Sequence, residues 1–383
     1  MEELFCPSVL IYDSQFDITA LRENKPYRNI GQLLMSAKCV RDALRLCGAE
    51  ERVLDGTASD YECFAAICSS MEYLAGHVAY NGVKRLLAEV FGVYERLSPY
   101  SCDELWATLN CFIDDNGITP ASLLNSLNVE SLTVRISPFY AFDIASDNID
   151  YYALTDLSDI VSLVTSDGNR EGNLESFISR IASVVKERAE SGSFGVSLRL
   201  GSDYKFERMS RRHEIYEIYT SLKSGKCTSI SAQNGLITYV LTSLFGTFCT
   251  VNSNIITETS CKTSELGRLL DYLKLNEKLP TSMLIKAVDP KEYLPLALKY
   301  SSRNEYGLPS IITVTQNVSA QAEIFPIGLA IECQSGITDA VALASLISSR
   351  DRLYYDLSQI TDADADSLLF DMTYANIKNR MRI

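Results

Sequence analysis

Short apolar runs alternating with amphipathic stretches restrict the fold of this 383-residue sequence more than any other feature. Ser131 to Ile136, Tyr151 to Leu154, Phe194 to Leu200, Phe248 to Val251, Ser282 to Val288, Ser310 to Val314 and Ile327 to Ile331 read as strands. Ser8 to Tyr12 supplies an eighth. Between them lie helical patterns at Leu174 to Ala189, Glu207 to Leu222, Ser264 to Leu273, Pro290 to Tyr300 and Thr338 to Ser348. Repeated β-α units build a parallel sheet with right-handed crossovers, and eight of them suggest an α/β fold closed into a (β/α)8 TIM-type barrel. A doubly wound open sheet is the competing arrangement. Two crossovers, Ser137 to Asp150 and Thr315 to Pro326, are short for a helix, so the barrel is expected to be eroded there.

One long segment breaks the alternation. From Asn24 to Asn128 the pattern is helical, with cap signals at Ser59-Asp60, at Ser101, and at Thr119 ahead of Pro120. The expected organisation is therefore a barrel from 1–23 and 129–383, with 24–128 as a helical insertion subdomain after the first strand.

A formal charge of −14 argues against nucleic acid or an anionic membrane as partner, because both demand a dense Lys/Arg face. The run Arg208-Met209-Ser210-Arg211-Arg212-His213 is short and flanked by Glu207 and Glu214, as a solvated helix start would be. Eleven cysteines, without a Cys-x-x-Cys pair, read as reduced core residues of a cytosolic protein. Met1-Glu2-Glu3 lacks the basic start of a secretory leader, so the expected location is cytoplasmic. Cys227 to Thr257 holds no charge, yet its scattered Ser, Thr, Gln and Asn favour a buried helix followed by a buried strand over a membrane span.

In either α/β arrangement, chemistry is sited just past the C-terminal ends of the strands. Those places hold Asp13 and Gln15, Arg135, Asp156, Arg199, Asn252 and Asn254, and Glu332. Gly192-Ser193-Phe194-Gly195 lacks the spacing and lysine of a phosphate loop, and no G-x-S-x-G or His-Glu-x-x-His is present. A nucleophilic triad needs a histidine base, and zinc needs several N/S ligands. The two histidines, His77 and His213, both fall in helical regions and read as structural or surface residues.

The stretch Asp55-Gly56-Thr57-Ala58-Ser59-Asp60-Tyr61, with its surroundings, resembles the uronate isomerase family. Glu23-Asn24-Lys25 with Tyr27-Arg28-Asn29-Ile30 is similar to the family's E-N-R-x-F-x-N-L, and Ala43-Leu44-Arg45 with Gly48 to its A-M-R-x-x-G. Further likeness lies in Phe91-Gly92-Val93, Asn128-Val129-Glu130, Pro138, Asp289-Pro290-Lys291 and Tyr374-Ala375-Asn376. The resemblance implies an amidohydrolase-superfamily barrel with a helical insertion, and an activity that interconverts aldose and ketose forms of sugar acids such as D-glucuronate and D-fructuronate, with D-galacturonate as a further aldose substrate.

Against that resemblance, the family's functional positions have changed type. Its first-strand H-x-H, a metal site, reads Asp13-Ser14-Gln15, and its second-strand acidic pair reads Ile136-Ser137. The arginine of F-R-P-D falls near Asp156 or Leu157, and V-S-D-H-G becomes Val196-Ser197-Leu198-Arg199-Leu200. The later H-x-G becomes Asn252-Ser253-Asn254. The last-strand aspartate becomes Glu332, with Gln334 in place of an arginine. In the insertion, W-T-H reads Gly82-Val83-Lys84 and H-Y-K-W reads Lys38-Cys39-Val40-Arg41.

Two readings follow. In the first, the chain is a degenerate relative without isomerase activity or cofactor, which at most binds a sugar acid or a protein partner such as an intact isomerase or its own copy. Arg135 and Arg199 would then clamp a ligand carboxylate, or pair with Asp13, Asp156 and Glu332 across the barrel mouth; the pairing is the expectation. With Asn252 and Asn254, the two arginines are the candidate substrate-binding set. In the second, Asp13 and Glu332 converge as catalytic carboxylates. They would either split their acidities as an acid/base pair or join Gln15 and Asn252 in an all-oxygen site for a divalent cation.

Overall fold

The computed structural model describes residues 9–144, 148–208, 211–287, 289–300, 310–315, 330–331 and 339–349. Eight strands run in chain order: β1 (Val9–Ser14), β2 (Val129–Ile136), β3 (Asp150–Leu157), β4 (Gly195–Leu200), β5 (Asn254–Thr259), β6 (Met283–Ala287), β7 (Ile311–Thr315) and β8 (Ala330–Ile331). Their order across the sheet is also sequential, and β3 through β8 pair parallel. Helices Leu174–Glu190, Arg212–Lys223 and Ile230–Thr250, Thr263–Leu275, and Pro290–Tyr300 fill the crossovers from β3 to β7. This is the β/α-barrel arrangement expected from the alternation.

The chain divides into two compact units, one within Met1–Leu132, Asp143–Tyr151 and Cys333–Leu369, the other within Thr133–Phe142, Tyr152–Glu332 and Phe370–Ile383. In the first unit, helices occupy most of the segment from Ile30 to Ser126. Ser59 accepts from the Glu62 amide while Glu62 returns to the Ser59 amide, a capping box that starts helix Asp60–Ser70. Thr119 and Ser122 close a similar box before Pro120. Ser101 departs from expectation: it makes no side-chain cap, and its hydroxyl binds Ser98 and the Arg96 carbonyl instead.

In the second unit, alternation along the strands separates two faces. Leu157, Val196, Leu198, Leu200, Ile255, Met283 and Ile285 pack with Phe177, Phe245 and Leu266 of the helices into one core cluster. Asp156, Ser197, Arg199, Glu258 and Lys286 occupy the alternate positions and so face the other way. Gly195 opens β4 at φ +154°, where a Cβ would lie 2.0 Å from the Asn254 carbonyl oxygen. Only glycine lets β4 and β5 approach this closely.

The expected strand Phe248 to Val251 is a correction. Helix Ile230–Thr250 runs through Phe248, which is 1% exposed, and β5 begins only at Asn254. A short apolar run reads the same in a buried helix and a buried strand, and periodicity cannot separate them. Asn252, at φ 51°, ends the helix, and the Ser253 amide reaches back to the Phe248 carbonyl at 2.9 Å in a Schellman-type closure. The broader expectation of a buried helix followed by a strand holds. Among the described residues no helix is long and apolar enough to cross a membrane.

Between Ile136 and Asp150 no helix occurs among the described residues. Arg188, from helix Leu174–Glu190, pins this short connection. It donates to the carbonyls of Ile136 (3.3 Å), Ser137 (3.0 Å) and Tyr140 (2.8 Å) and to Thr155 Oγ1 (3.0 Å). The other short crossover, Thr315 to Pro326, lies outside the described residues beyond Thr315.

Candidate functional site

The polar face of the second unit gathers its charges at the C-terminal ends of β2 through β6. Arg199 and Glu258 are direct partners in the β4–β5 register, and Glu258 stands opposite Lys286 in the β5–β6 register. Arg199 gives Nε (3.1 Å) and Nη2 (2.9 Å) to Glu258 Oε2. Arg135 Nη2 donates to Oε1 at 2.5 Å, and Lys286 Nζ stands 3.6 Å from the same oxygen. Three cations therefore converge on one carboxylate. The Arg135, Lys286 and Glu258 side chains are 8%, 5% and 14% exposed, whereas Arg199 is 59% exposed at the rim.

A second set of contacts joins this cluster to β3. Ser158 gives both its amide, at 2.9 Å, and its hydroxyl to Asp156 Oδ1. Having spent its one proton there, the Ser158 hydroxyl accepts from Ser197 Oγ at 3.1 Å and from Arg135 Nη1 at 3.4 Å. Arg135 thus bridges the Asp156 and Glu258 ends of one continuous network.

Arg135 and Arg199 do form an ion-paired cluster, but its centre is Glu258, which the sequence reading never singled out. Asp156 enters through Ser158. Asp13 lies in β1, while Glu332 lies outside the described residues and Gln15 is exposed just after β1. Asn252 and Asn254 are not at the mouth at all. They precede β5 and stand at the opposite end of the sheet from Arg199 and Glu258. Asn254 is 6% exposed and gives its amide to the Phe194 carbonyl at 2.9 Å, a structural bond between strand starts.

One histidine is structural and the other lies on the surface. His77 caps helix Val78–Phe91, its Nδ1 accepting from the Ala79 amide at 3.2 Å, and His213 is exposed on helix Arg212–Lys223. Among the described residues, no three His, Cys, Asp or Glu side chains gather as a metal-ligand group.

Glu258 was missed because the strand bearing it was placed too early. Once the helix is continued to Thr250, Asn254–Thr259 becomes the strand, and its fifth residue takes the strand-end position. Parallel strands in sequential order, with polar side chains gathered on one face at their C-terminal ends, define a protein of the β/α-barrel class.

Residues 7–144 match the family model described as glucuronate isomerase. Uronate isomerases of Oceanobacillus iheyensis and Bacillus velezensis are similar to this chain. They are 27% identical over 174 residues (44% of this chain, 35% of the relative) and 21% identical over 358 residues (82% and 74%). The match spans only 29%, 19% and 35% of the first three curated relatives, from Clostridium acetobutylicum, Clostridium perfringens and O. iheyensis. The crystal structure of uronate isomerase from Thermotoga maritima superposes with a TM-score of 0.77 at 14% identity, covering 97% of this chain and 94% of that one. Glucuronate isomerase from Caulobacter crescentus gives 0.75 at 13%, covering 98% and 91%. The chain is thus similar to glucuronate isomerases over residues 7–144 and shares its fold with uronate isomerases over nearly its whole length.

Proposed function

We propose that this protein is a degenerate member of the uronate isomerase family, without isomerase activity, in a barrel of 1–23 and 129–383 with 24–128 inserted. The single observation that carries the reading is the occupation of Glu258. Moving hydrogen between adjacent sugar carbons requires a base able to take a proton and a group to steady the developing oxyanion. Oε1 of Glu258 already holds Arg135 and Lys286, and Oε2 holds Arg199. Neither oxygen is open to a substrate proton, and the cations suited to an oxyanion are turned onto this internal acid. The replaced family positions at Asp13-Ser14-Gln15 and Ile136-Ser137 support the same reading, as does Asn252, which precedes β5 at the strand-start end of the sheet and not at the strand ends.

The test is a coupled isomerisation assay on D-glucuronate and D-galacturonate, using metal-stripped protein with and without Mn²⁺, Mg²⁺ or Zn²⁺. No turnover above background is expected under any condition. Turnover that Asp13→Ala, Asp156→Asn or Glu332→Ala abolishes would overturn the proposal and place a rebuilt carboxylate or oxygen-ligand site at the barrel mouth.

A further inference from the structure

Two buried cysteines meet where helices Asp60–Ser70 and Cys102–Asn116 of the first unit pack together. We propose that Cys68 and Cys102 form a peroxide-sensitive dithiol, oxidised reversibly to an intramolecular disulfide that ties the two helices together. The helices run antiparallel, as a ladder of contacts shows. At one end Asn29 gives its amide to Asp60 at 2.7 Å, and the Ile30 amide donates to Asn110 Oδ1 at 2.8 Å, which sets Asp60 near Asn110. One turn along the first helix and one turn back along the second, the Phe64 and Trp106 rings lie 5.6 Å apart. After a further turn of each, Cys68 meets Cys102, and the two thiols hydrogen-bond to each other.

Packed helix axes lie about 8–10 Å apart, and each Cα stands about 2.3 Å off its own axis. Facing positions therefore fall within the roughly 4.4–6.8 Å that a disulfide spans between Cα atoms. The other cysteines of these two helices are turned elsewhere. Cys63 Sγ stands 4.0 Å from the Val53 carbonyl oxygen, and Cys111 Sγ 3.6 Å from Asp115 Oδ2. Cys68 is 0% exposed and Cys102 5%. Tyr61, which is 39% exposed, holds its hydroxyl on Asp103 and beside the Cys102 thiol, so solvent stands one side chain away. Hydrogen peroxide is little larger than water and can follow it to the sulfur. Glutathione disulfide and aromatic disulfides are too bulky to approach a thiol this covered.

Cys102, the less covered sulfur, reacts first. It gives up its thiol proton and attacks one peroxide oxygen. An S–O bond forms, the O–O bond breaks, and the departing hydroxide takes that proton as water, leaving Cys102 as a sulfenic acid. The Cys68 sulfur then attacks the Cys102 sulfur. The S–S bond forms, the S–O bond breaks, and the hydroxyl leaves with the Cys68 proton as a second water. The sulfurs are oxidised as the peroxide is reduced, and nothing else is consumed. Burial, with Cys102 beside it, pushes the Cys68 thiol up, which makes the second step the slower one. A small thiol reductant reverses the bond by exchange. Disulfides of a reducing compartment are usually transient ones of this kind. This inference goes beyond the proposed loss of isomerase activity and does not depend on it.

The test treats the intact, reduced chain with hydrogen peroxide under native conditions and maps its peptides without reductant. A Cys68–Cys102 cross-link is expected that grows with peroxide dose and disappears after dithiothreitol. The oxidised chain should unfold at a higher urea concentration than the reduced one, because the bond constrains the unfolded state. Cys68→Ala and Cys102→Ala should each abolish both the cross-link and the urea shift, whereas Cys63→Ala should leave them. In Cys68→Ala the Cys102 peptide should gain oxygen instead. The proposal is overturned if no such cross-link forms at peroxide doses that fully oxidise the exposed Cys227. It is equally overturned if the cross-link forms only in urea, or if either cysteine pairs with a different one. Circular dichroism checks that each variant folds, and the wild-type cross-link decides the matter where one does not. Turnover in the isomerisation assay would leave these outcomes unchanged, so the two proposals fail separately.

Discussion

Glu258 stands directly across the β4–β5 ladder from Arg199 and receives two of its guanidinium donors on one carboxylate oxygen, at 3.1 and 2.9 Å. The other oxygen serves Arg135 and Lys286, both nearly buried. Removing the charge by Glu258→Gln takes the carboxylate from two desolvated cations at once. The expected loss is about 3–5 kcal/mol of folding stability, the usual cost of breaking a buried pair from one side. Arg199→Gln breaks the exposed arm and is expected to cost less than about 1 kcal/mol. Urea unfolding of the two variants measures both, and equal losses would refute the asymmetry.

Arg188 is a buried cation without a carboxylate partner among its hydrogen bonds; three carbonyls and one hydroxyl receive its donors. Burial pushes it down to about 10. Arg188→Met would strand those carbonyls at the β2–β3 connection, at a cost of at least about 2 kcal/mol in denaturant unfolding. Arg188→Lys should recover little, because a single ammonium does not reproduce a planar fork aimed at four acceptors. Full recovery by lysine would mean that charge alone, not the fork, holds the connection.

The capping box at Ser59 gives a pH-dependent signature. The Ser59 amide and hydroxyl, then Arg52, hold the Glu62 carboxyl below its usual value of 4.5. Because the folded state binds this proton less readily than the unfolded one, Glu62 contributes stability that is fully present above pH 4.5. That contribution fades as the pH falls through the lowered folded value. The unfolding midpoint of wild type should therefore exceed that of Glu62→Ala at neutral pH, with the gap narrowing below pH 4.5. A gap that widens on acidification would contradict the assignment.

The residues that carry the family resemblance in the sequence turn out to be joints. Asp55 accepts from the Thr57 amide and hydroxyl at 2.9 and 2.7 Å, and Gly56 takes φ +81° in the same turn. Asn29 caps helix Ile30–Ser36 and gives its amide to Asp60 at 2.7 Å. Asn24, at φ 43°, accepts from the Ala121 amide. Such geometry admits few residue types, so it survives as readable motif. The strand-end cluster is different. Glu258 has no local signature; it matters only because β4 and β6 bring Arg199 and Lys286 beside it, and those pairings are non-local. The β-α alternation fixed seven strands to within a few residues but could not separate Phe248 to Val251 from a helix end. That one displacement sent the expected site to Asn252 and Asn254, at the wrong end of the sheet.

Thiol reactivity provides a last check on the packing. Disulfide reagents react with the thiolate, so burial and neighbouring carboxylates both slow labelling. Burial pushes the Cys68 and Cys261 thiols up, and burial with Asp339 nearby takes Cys39 to about 12. Cys111 and Cys227 are exposed, and the Asp115 carboxylate raises the Cys111 thiol. Cys6 and Cys333 lie outside the described residues. With an Ellman-type reagent near neutral pH, Cys227 should label quickly and Cys111 after it, with the Cys111 rate rising in high salt as the carboxylate is screened. Cys68 and Cys261 should label only on unfolding. Peptide mapping of the labelled chain assigns each step. Early modification of Cys68 or Cys261 would show that helices Asp60–Ser70 and Thr263–Leu275 open far more readily than their burial requires.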